Sequence, residues 1–284
     1  MKPTEILDKA QTLDSNAWLE VLIASTKSSN WGGVQLPSFP DESLQASFVG
    51  SANEHALREG SHFYSAVLLQ LEKHSGPLTA ESKVLDFGVG WGRYMRFFYR
   101  NVALNNLYGV DPWHLAIDTC RDTNVHGQLL HINLRPPMVL ADNTFDLVFA
   151  YSVFSHLSPT VGEQWIAELA RCLKPGGLLI VTTQGRTFID YCLSLRNTVI
   201  QSPWHEALQR SFNNVEQMYS DYDAGKILYA ANGGGDGLPP DVYGDAIVPR
   251  GYVEAVWSKY LTLLEFIDDR AYLPQALVVM RKPI

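Results

Sequence analysis

A glycine-rich turn after an apolar strand is the part of this chain whose residue types and spacing point most directly to chemistry. The stretch VLDFGVGWGR places Asp86 before Gly88, Gly90 and Gly92. Glycine at alternating positions lets a ligand approach the backbone, because no side chain stands in the way. A helical pattern over 94–100 follows at once and would direct its free N–H groups at that ligand. The turn therefore predicts a binding site.

A second acid stands at the end of the next predicted strand. Asp111 follows the apolar segment 107–110 and comes 25 positions after Asp86, a distance typical of a strand–helix–strand unit. An acid at this place suits the diol of a ribose. A dinucleotide site would have its third glycine where Arg93 stands, and Asp86 would repel a pyrophosphate. The acid in the turn instead favours a cationic ligand end, such as an amino group.

These residues resemble the class I S-adenosylmethionine-dependent methyltransferases, whose first motif has the form Asp-x-Gly-x-Gly-x-Gly and whose second strand ends in a ribose-binding acid. The resemblance covers residues 83–184 well and 252–281 loosely, and it includes a Lys-Pro-Gly-Gly turn at 174–177. It implies S-adenosyl-L-methionine as the cofactor, with its amino end near Asp86 and its ribose at Asp111.

The resemblance implies further cofactor contacts. Asn133 and Leu134 follow the third strand, where the family meets the adenine edge, although many members carry an acid there. Tyr151 and Ser152 follow the fourth strand and would border the methyl-sulfonium. Trp113 has two open roles: it stacks on or borders the adenine, or it packs in the core.

Three titratable side chains complete the candidates. Arg58, on a predicted N-terminal helix, would hold the methionine carboxylate through a bidentate pair, or it is a solvated charge on an amphipathic helix. His156 lies four residues after Ser152, near the sheet edge at which ligands bind. It is the candidate general base because histidine titrates near neutrality, with packing or capping as the alternative. His205, beside Trp204, is the next candidate.

Composition limits the class of function. The 284-residue chain carries a formal charge of −8 and its basic residues are scattered, which argues against nucleic acid. The apolar run 147–154 is too short to cross a bilayer, and the first residues lack a secretory signal. Cys120, Cys172 and Cys192 show neither disulfide nor zinc spacing, and we expect no metal. We expect a cytoplasmic protein with a small-molecule acceptor, and the oligomeric state stays open.

The elements that position these residues alternate between strand and helix from residue 83 onward. This alternation predicts an α/β fold with a doubly wound seven-stranded sheet, mostly parallel with an antiparallel last strand. Helices are also predicted at 3–27 and 53–74, with Asn53 as an N-cap. Strands are predicted at 83–87, 107–110, 128–132, 145–150, 178–182, 261–267 and 276–281, and helices at 93–100, 113–123, 161–173 and 252–260.

Four segments follow from this pattern. Residues 1–82 form a helical N-terminal extension and 83–184 the cofactor-binding core. Residues 185–242 form a helical, aromatic-rich insertion that contains the glycine run 233–237 and is expected to cover the substrate. Residues 243–284 return to the core sheet.

Methyl transfer from a sulfonium needs little from a protein, because the donor is already activated. The protein positions the acceptor, excludes water and, for a hydroxyl, removes a proton. We therefore predict a methyltransferase that acts on a small-molecule or glycan hydroxyl. The alternatives are N- or C-methylation, which needs no strong base, and a non-catalytic methyltransferase-like binding subunit.

Overall fold

The computed structural model describes residues 4–199, 202–234 and 238–284. The start of the N-terminal extension and part of the glycine run 233–237 lie outside the described residues. The helices are α1 (Glu5–Ala10), α2 (Ser15–Ser25), α3 (Glu42–Val49), α4 (Asn53–His74), α5 (Arg93–Phe98), α6 (His114–Asp122), α7 (Pro159–Cys172), α8 (Thr187–Ser194), α9 (Pro203–Ser211), α10 (Val215–Asp223) and α11 (Arg250–Ala255). The strands are β1 (Asn30–Trp31), β2 (Val34–Gln35), β3 (Val84–Phe87), β4 (Leu107–Asp111), β5 (Gln128–His131), β6 (Phe145–Ala150), β7 (Leu173–Thr183), β8 (Leu228–Ala230), β9 (Asp245–Ile247), β10 (Thr262–Ile267) and β11 (Ala276–Arg281).

Seven of these strands form the central sheet, in the order β5-β4-β3-β6-β7-β11-β10. The pairs among β3, β4, β5 and β6 are parallel, whereas β11 is antiparallel to both β7 and β10. The predicted α/β fold is therefore confirmed. The chain moves outward from β3 to β5 and then returns to the other side of β3, which makes the β3–β6 junction a topological switch point. Open α/β sheets bind ligands at such points, at the carboxyl ends of the strands.

The β3 strand places the glycine-rich turn at this edge. All four residues of Val84–Phe87 are buried, as expected for a strand covered on both faces. Asp86 pairs in register with Gly109 of β4 and Phe149 of β6. The turn after β3 and the acid that ends β4 therefore share one edge.

The N-terminal extension differs from the prediction at both predicted helices, and α3, β1 and β2 were not predicted. The predicted helix over 3–27 is divided into α1 and α2, because the Asp14 side chain accepts the Ala17 N–H and starts a new helix. Asn53 is not the N-cap of α4: Ala52 occupies that position. The Gln45 side chain from α3 instead accepts the Asn53 N–H at 2.8 Å, a cap from a distant helix.

The later part of the chain departs from the prediction at three elements. β7 begins directly after α7 and runs through the predicted turn at 174–177, where Gly176 has a φ of +81° and donates its N–H to the Lys282 carbonyl. The predicted helix at 252–260 is α11 followed by a 3-10 turn over Trp257–Lys259. β8 and β9 form an antiparallel pair that was not predicted.

Two compact units make up the chain: Met1–Asn133 with Met138–Phe149, and Leu134–Pro137 with Ala150–Ile284, each taken over its described residues. In the first unit, Arg93 and Arg96 of α5 and Arg100, just after it, donate to backbone carbonyls of the N-terminal extension. The acceptors are Ala56 for Arg93, Pro37 and Ser38 for Arg96, and Leu13 for Arg100. The extension is therefore folded together with the glycine-rich turn. In the part of the chain that is described, no helix has the length and apolar character to span a membrane.

Candidate active site

The glycine-rich turn has a backbone that side chains rarely adopt. Gly88, Gly90 and Gly92 have φ angles of +88°, +53° and +80°, in the left-handed region that favours glycine. The N–H groups of Gly88 and Val89 both donate to the Val110 carbonyl, at 2.9 and 3.0 Å, which fixes the turn against β4. The three glycines are therefore required by the conformation of the turn.

The space beside two of these glycines is occupied by other side chains. A Cβ on Gly92 would lie 2.8 Å from Val125, so this glycine permits close packing inside the unit. A Cβ on Gly90 would lie 3.4 Å from the Phe48 ring of α3. Phe48 therefore faces the turn at the position where a ligand was expected to approach.

Asp111 ties the turn to the start of α6. Its carboxylate accepts the Gly90 N–H at 3.0 Å through Oδ2 and the Trp113 N–H at 2.9 Å through Oδ1. Burial raises the pKa of this carboxyl to about 6, against the lowering effect of the two hydrogen bonds. Each oxygen has two lone pairs, so each keeps one with which to accept a ribose hydroxyl.

Asp86 is a buried acid, and one of its carboxylate oxygens lacks a donor within the part of the chain that the structure describes. It is 1% exposed, and its Oδ2 has no hydrogen-bond partner among the described residues. Burial raises the pKa of Asp86 well above its ordinary value, and the nearby charge of Asp111 raises it further, whereas Arg93 lowers it. A cationic donor would satisfy this oxygen and offset the repulsion between the two acids. The residues of the turn therefore fit a ligand that carries both a diol and an amino group, as S-adenosyl-L-methionine does.

An aromatic pair borders the turn. The rings of Trp113 and Phe48 have centroids 4.9 Å apart and are tilted by 50°. Phe48 was not predicted, because it lies in α3, 42 residues before Gly90, and no local motif connects the two. Trp113 therefore packs on an aromatic side chain, and a role at the adenine stays a prediction.

The predicted adenine-edge residues lie in different compact units. Asn133 is exposed at the end of the first unit. Leu134 belongs to the second unit, where its carbonyl accepts the Trp165 Nε1–H at 3.1 Å. A contact of either residue with adenine stays a prediction.

Arg58 lies on the solvent-facing side of α4. Its guanidinium pairs with Glu54 at 2.8 Å and Glu20 at 3.2 Å, and its side chain is 48% exposed. The Glu54 hydrogen bond is the main cause of a raised pKa for Arg58. This geometry corresponds to the solvated charge that was the alternative for Arg58, and it lends no support to the carboxylate-binding role.

In the second unit, Ser152, which follows β6, forms a closed ring of hydrogen bonds with Thr182 and Gln275. The Ser152 N–H donates to Thr182 Oγ1 at 2.8 Å, Thr182 Oγ1 donates to Gln275 Oε1 at 2.7 Å, and Gln275 Nε2 donates to Ser152 Oγ at 2.8 Å. The ring holds Ser152 at a φ of +61°, which is uncommon for a serine and is a form of strain that concentrates at functional sites. Thr182 and Gln275 gave no sequence signal, since they act by contact across the fold. Tyr151, just before the ring, is half-buried.

His156 is held in one orientation by the backbone. Its Nδ1 lies 2.9 Å from the Gly244 carbonyl, and its ring stacks on Tyr243 with centroids 4.8 Å apart. A carbonyl only accepts, so Nδ1 carries the hydrogen and Nε2 is the basic nitrogen. Burial lowers the pKa of His156, whereas the Gly244 bond and the charge of Asp245 oppose that shift. His156 is therefore a neutral imidazole at pH 7.

Asp245 stands beside His156 and was missed by sequence reasoning. Its carboxylate is 3.8 Å from His156 Nδ1 and is 5% exposed. Oδ1 accepts the Trp204 Nε1–H and Oδ2 accepts an Asn232 Nδ2–H, both at 2.9 Å. The other histidine candidate, His205, bonds through Nε2 to the Tyr191 hydroxyl at 2.9 Å. His156 is the better-placed base, because a buried carboxylate stands beside it.

No group of three His, Cys, Asp or Glu side chains able to hold a metal ion occurs within residues 4–199, 202–234 and 238–284. The expectation of a metal-free site stays a prediction.

Comparison with known proteins matches the core of the chain to a family model and part of its sequence to two curated proteins. Residues 85–181 match the family model described as a methyltransferase domain. The chain is 32% identical over 121 residues to the tRNA U34 carboxymethyltransferase of Geobacter sp. (strain M21). The matched region covers 40% of this chain and 35% of that protein. It is 28% identical over 131 residues to the mitochondrial ubiquinone biosynthesis O-methyltransferase of Mus musculus. This matched region covers 43% of this chain and 34% of that protein. The chain spans about a third of the length of these curated relatives.

The fold also matches a solved structure. The PH0226 protein from Pyrococcus horikoshii OT3 superposes with a TM-score of 0.54 at 16% identity, covering 86% of this chain and 100% of that one. This likeness concerns the fold alone. Together with the family match, it agrees with the resemblance that the glycine turn and Asp111 indicated.

Proposed function

We propose that this chain, whose residues 85–181 match a methyltransferase-domain family model, is a class I S-adenosylmethionine-dependent methyltransferase that methylates a hydroxyl oxygen of a small molecule or a glycan. The observation that carries the proposal is the turn itself: Gly90 is held in the left-handed conformation by Asp111, and a buried Asp86 oxygen lacks a donor. This arrangement suits a ligand with a diol and a cationic end.

The chemistry divides between the cofactor and the chain's own residues. S-adenosyl-L-methionine supplies a methyl group on a positively charged sulfur. Asp111 would accept ribose hydroxyls, Asp86 would favour the cationic amino end, and Phe48 with Trp113 would exclude water beside the turn. His156 would take the acceptor proton at Nε2, because its Nδ1 already holds one.

The alternatives differ in what they require of His156. N- or C-methylation needs no such base, and a binding subunit needs no turnover at all. The Mus musculus relative is named an O-methyltransferase, which supports a hydroxyl acceptor here. The Geobacter relative is named for tRNA, but the charge of −8 on this chain disfavours a polyanionic acceptor. The cytoplasmic location is likewise proposed on composition.

We expect Asp111→Asn to weaken cofactor binding on the order of 10- to 100-fold, because it removes one or two charge-assisted hydrogen bonds. Calorimetry with S-adenosyl-L-methionine measures this directly. In the wild type, affinity should fall as the pH drops through about 6, since the protonated carboxyl accepts poorly. The Asn variant should lack that dependence.

Asp118→Asn is the matched control, because Asp118 lies on α6 with an exposed carboxylate paired to Arg121. It should bind like the wild type at every pH. Equal affinity of Asp111→Asn and wild type would show that this acid does not hold the cofactor. A wild type that binds S-adenosyl-L-methionine and turns over no acceptor in a broad screen would favour the binding subunit.

A further inference from the structure

We propose that the acceptor is a planar aromatic ring with a hydroxyl, a phenol, bound against Trp204 of the insertion with its hydroxyl toward His156. This inference rests on the proposed methyl transfer to oxygen and names the class of acceptor. It assigns Trp204 as the acceptor-binding side chain and Asp245 as the residue that positions Trp204 beside His156.

The first argument is an exposed tryptophan in an aromatic cluster. Trp204 of α9 is 40% exposed. Its ring stacks on Tyr191 with centroids 6.0 Å apart, and the rings of Phe188 and His205 lie 6.3 and 5.5 Å away. An indole braced in this way offers a rigid apolar face with little entropy to lose on binding. Aromatic rings pair with such faces in offset or tilted geometry.

The second argument is the connection of this cluster to the base. Oδ1 of Asp245 accepts the Trp204 Nε1–H at 2.9 Å and lies 3.8 Å from His156 Nδ1. The same buried oxygen therefore orients the indole and stands beside the imidazole, whose own orientation is set by the Gly244 carbonyl. When Nε2 gains a proton, the negative charge of Asp245 stabilises the imidazolium.

The third argument distinguishes a phenol from a sugar. The polar groups around Trp204 are already paired with one another: Tyr191 with His205, Asn232 with Asp245 and Ser211. A polyhydroxylated acceptor would bury hydroxyls against these paired groups, at a cost for each unsatisfied hydrogen bond. A ring with a single hydroxyl buries its faces and needs only the base.

The acidity of a phenol also suits the base. A phenolic hydroxyl titrates near pH 10, as in tyrosine, so a neutral imidazole accepts its proton more readily than that of an aliphatic alcohol. In the step, the O–H proton moves to His156 Nε2 and an oxygen lone pair forms the bond to the methyl carbon. The carbon–sulfur bond breaks, and its electron pair stays on sulfur, which becomes a neutral thioether. An aryl methyl ether is the product.

The test uses 7-hydroxy-4-methylcoumarin, a planar fluorescent phenol, titrated into the full chain by fluorescence anisotropy. We expect binding by the wild type and a loss of about 10-fold or more in affinity in Trp204→Leu, from the lost ring contact and apolar area. Tyr260→Leu is the matched control, since Tyr260 is a comparably exposed aromatic outside the cluster, at 37%. It should bind like the wild type.

S-adenosylhomocysteine binding by calorimetry separates this inference from the proposed function. All three proteins should bind it equally, which also shows that Trp204→Leu is folded. Trp204→Phe keeps a ring and loses the bond to Asp245, so it should retain coumarin binding and lose turnover.

The phenol proposal is overturned if the wild type does not bind the coumarin, if Trp204→Leu binds it as tightly as the wild type, or if methyl glucoside binds more tightly than the coumarin. Failure of the wild type to bind S-adenosylhomocysteine would instead overturn the methyltransferase function.

Discussion

Replacement of His156 by alanine is expected to lower turnover by roughly 10²- to 10⁴-fold, the usual contribution of a general base. The residue has the geometry for this role, because the Gly244 carbonyl holds the proton on Nδ1 and leaves Nε2 basic. Cofactor affinity should change little, since Gly244, Tyr243 and Asp245, which hold or border His156, all belong to the same unit as His156, whereas the glycine-rich turn belongs to the other.

The pH dependence gives a second readout. Burial lowers the pKa of His156 below the ordinary histidine value, so the base is neutral and active above that value. The wild-type rate should rise with pH through the acidic range and then level off near neutrality. The rise should be absent in His156→Ala.

His126→Ala is the matched control for this experiment. Its imidazole also lies within hydrogen-bond distance of a backbone carbonyl, that of Gln35 at 3.2 Å, and burial also lowers its pKa. It stands in the first unit, and its loss should leave the pH profile unchanged. If His156→Ala keeps the wild-type rate, the acceptor needs no base or uses another one. A loss of S-adenosylhomocysteine affinity together with the rate would assign His156 a packing role.

The elements that were predicted correctly are those with strong local signals. The predicted bounds of α4, β6 and β11 agree with the structure. Helix α4 has apolar residues at three- to four-residue intervals and a Gly-Pro stop, and each of the two strands is mostly apolar, with one charged residue near one end. The glycine turn was recognised for the same reason, since its three left-handed positions alternate within one short segment.

The parts that were missed depend on contacts between distant segments. Asp245 lies 89 positions after His156, and only the packing of β9 brings it to the imidazole. Phe48 reaches Gly90 from α3, a helix that was not predicted. Arg58 illustrates the opposite case: a helical wheel places it on one face of α4, but only the positions of Glu20 and Glu54 decide whether that face meets solvent.

The same dependence on distant contacts makes Arg96 of α5 a critical residue for stability. Arg96 is 1% exposed, and its guanidinium donates to the Pro37 and Ser38 carbonyls at 3.0 and 2.8 Å. It also lies against the rings of Phe39 and Trp91. Burial lowers the pKa of Arg96 to about 10, so the charge persists at pH 7 and the carbonyls serve as its partners.

We expect Arg96→Met to lower the free energy of unfolding by about 2–4 kcal/mol, because two buried carbonyls lose their donor, partly offset by the relief of burying a charge. Urea unfolding measures the change, with a lower midpoint in the variant. Arg96→Lys should recover only part of the loss, since an ammonium lacks the planar fork that reaches both carbonyls.

Arg121→Met is the control, because it removes an exposed arginine paired with Asp118. Its free energy of unfolding should stay within about 0.5 kcal/mol of the wild-type value. If Arg96→Met and Arg121→Met unfold at the same urea concentration, α5 does not secure the N-terminal extension. If Arg96→Met alone is destabilised and also binds S-adenosyl-L-methionine more weakly, the segment that carries Phe39 and Phe48 supports the glycine-rich turn as well as the fold.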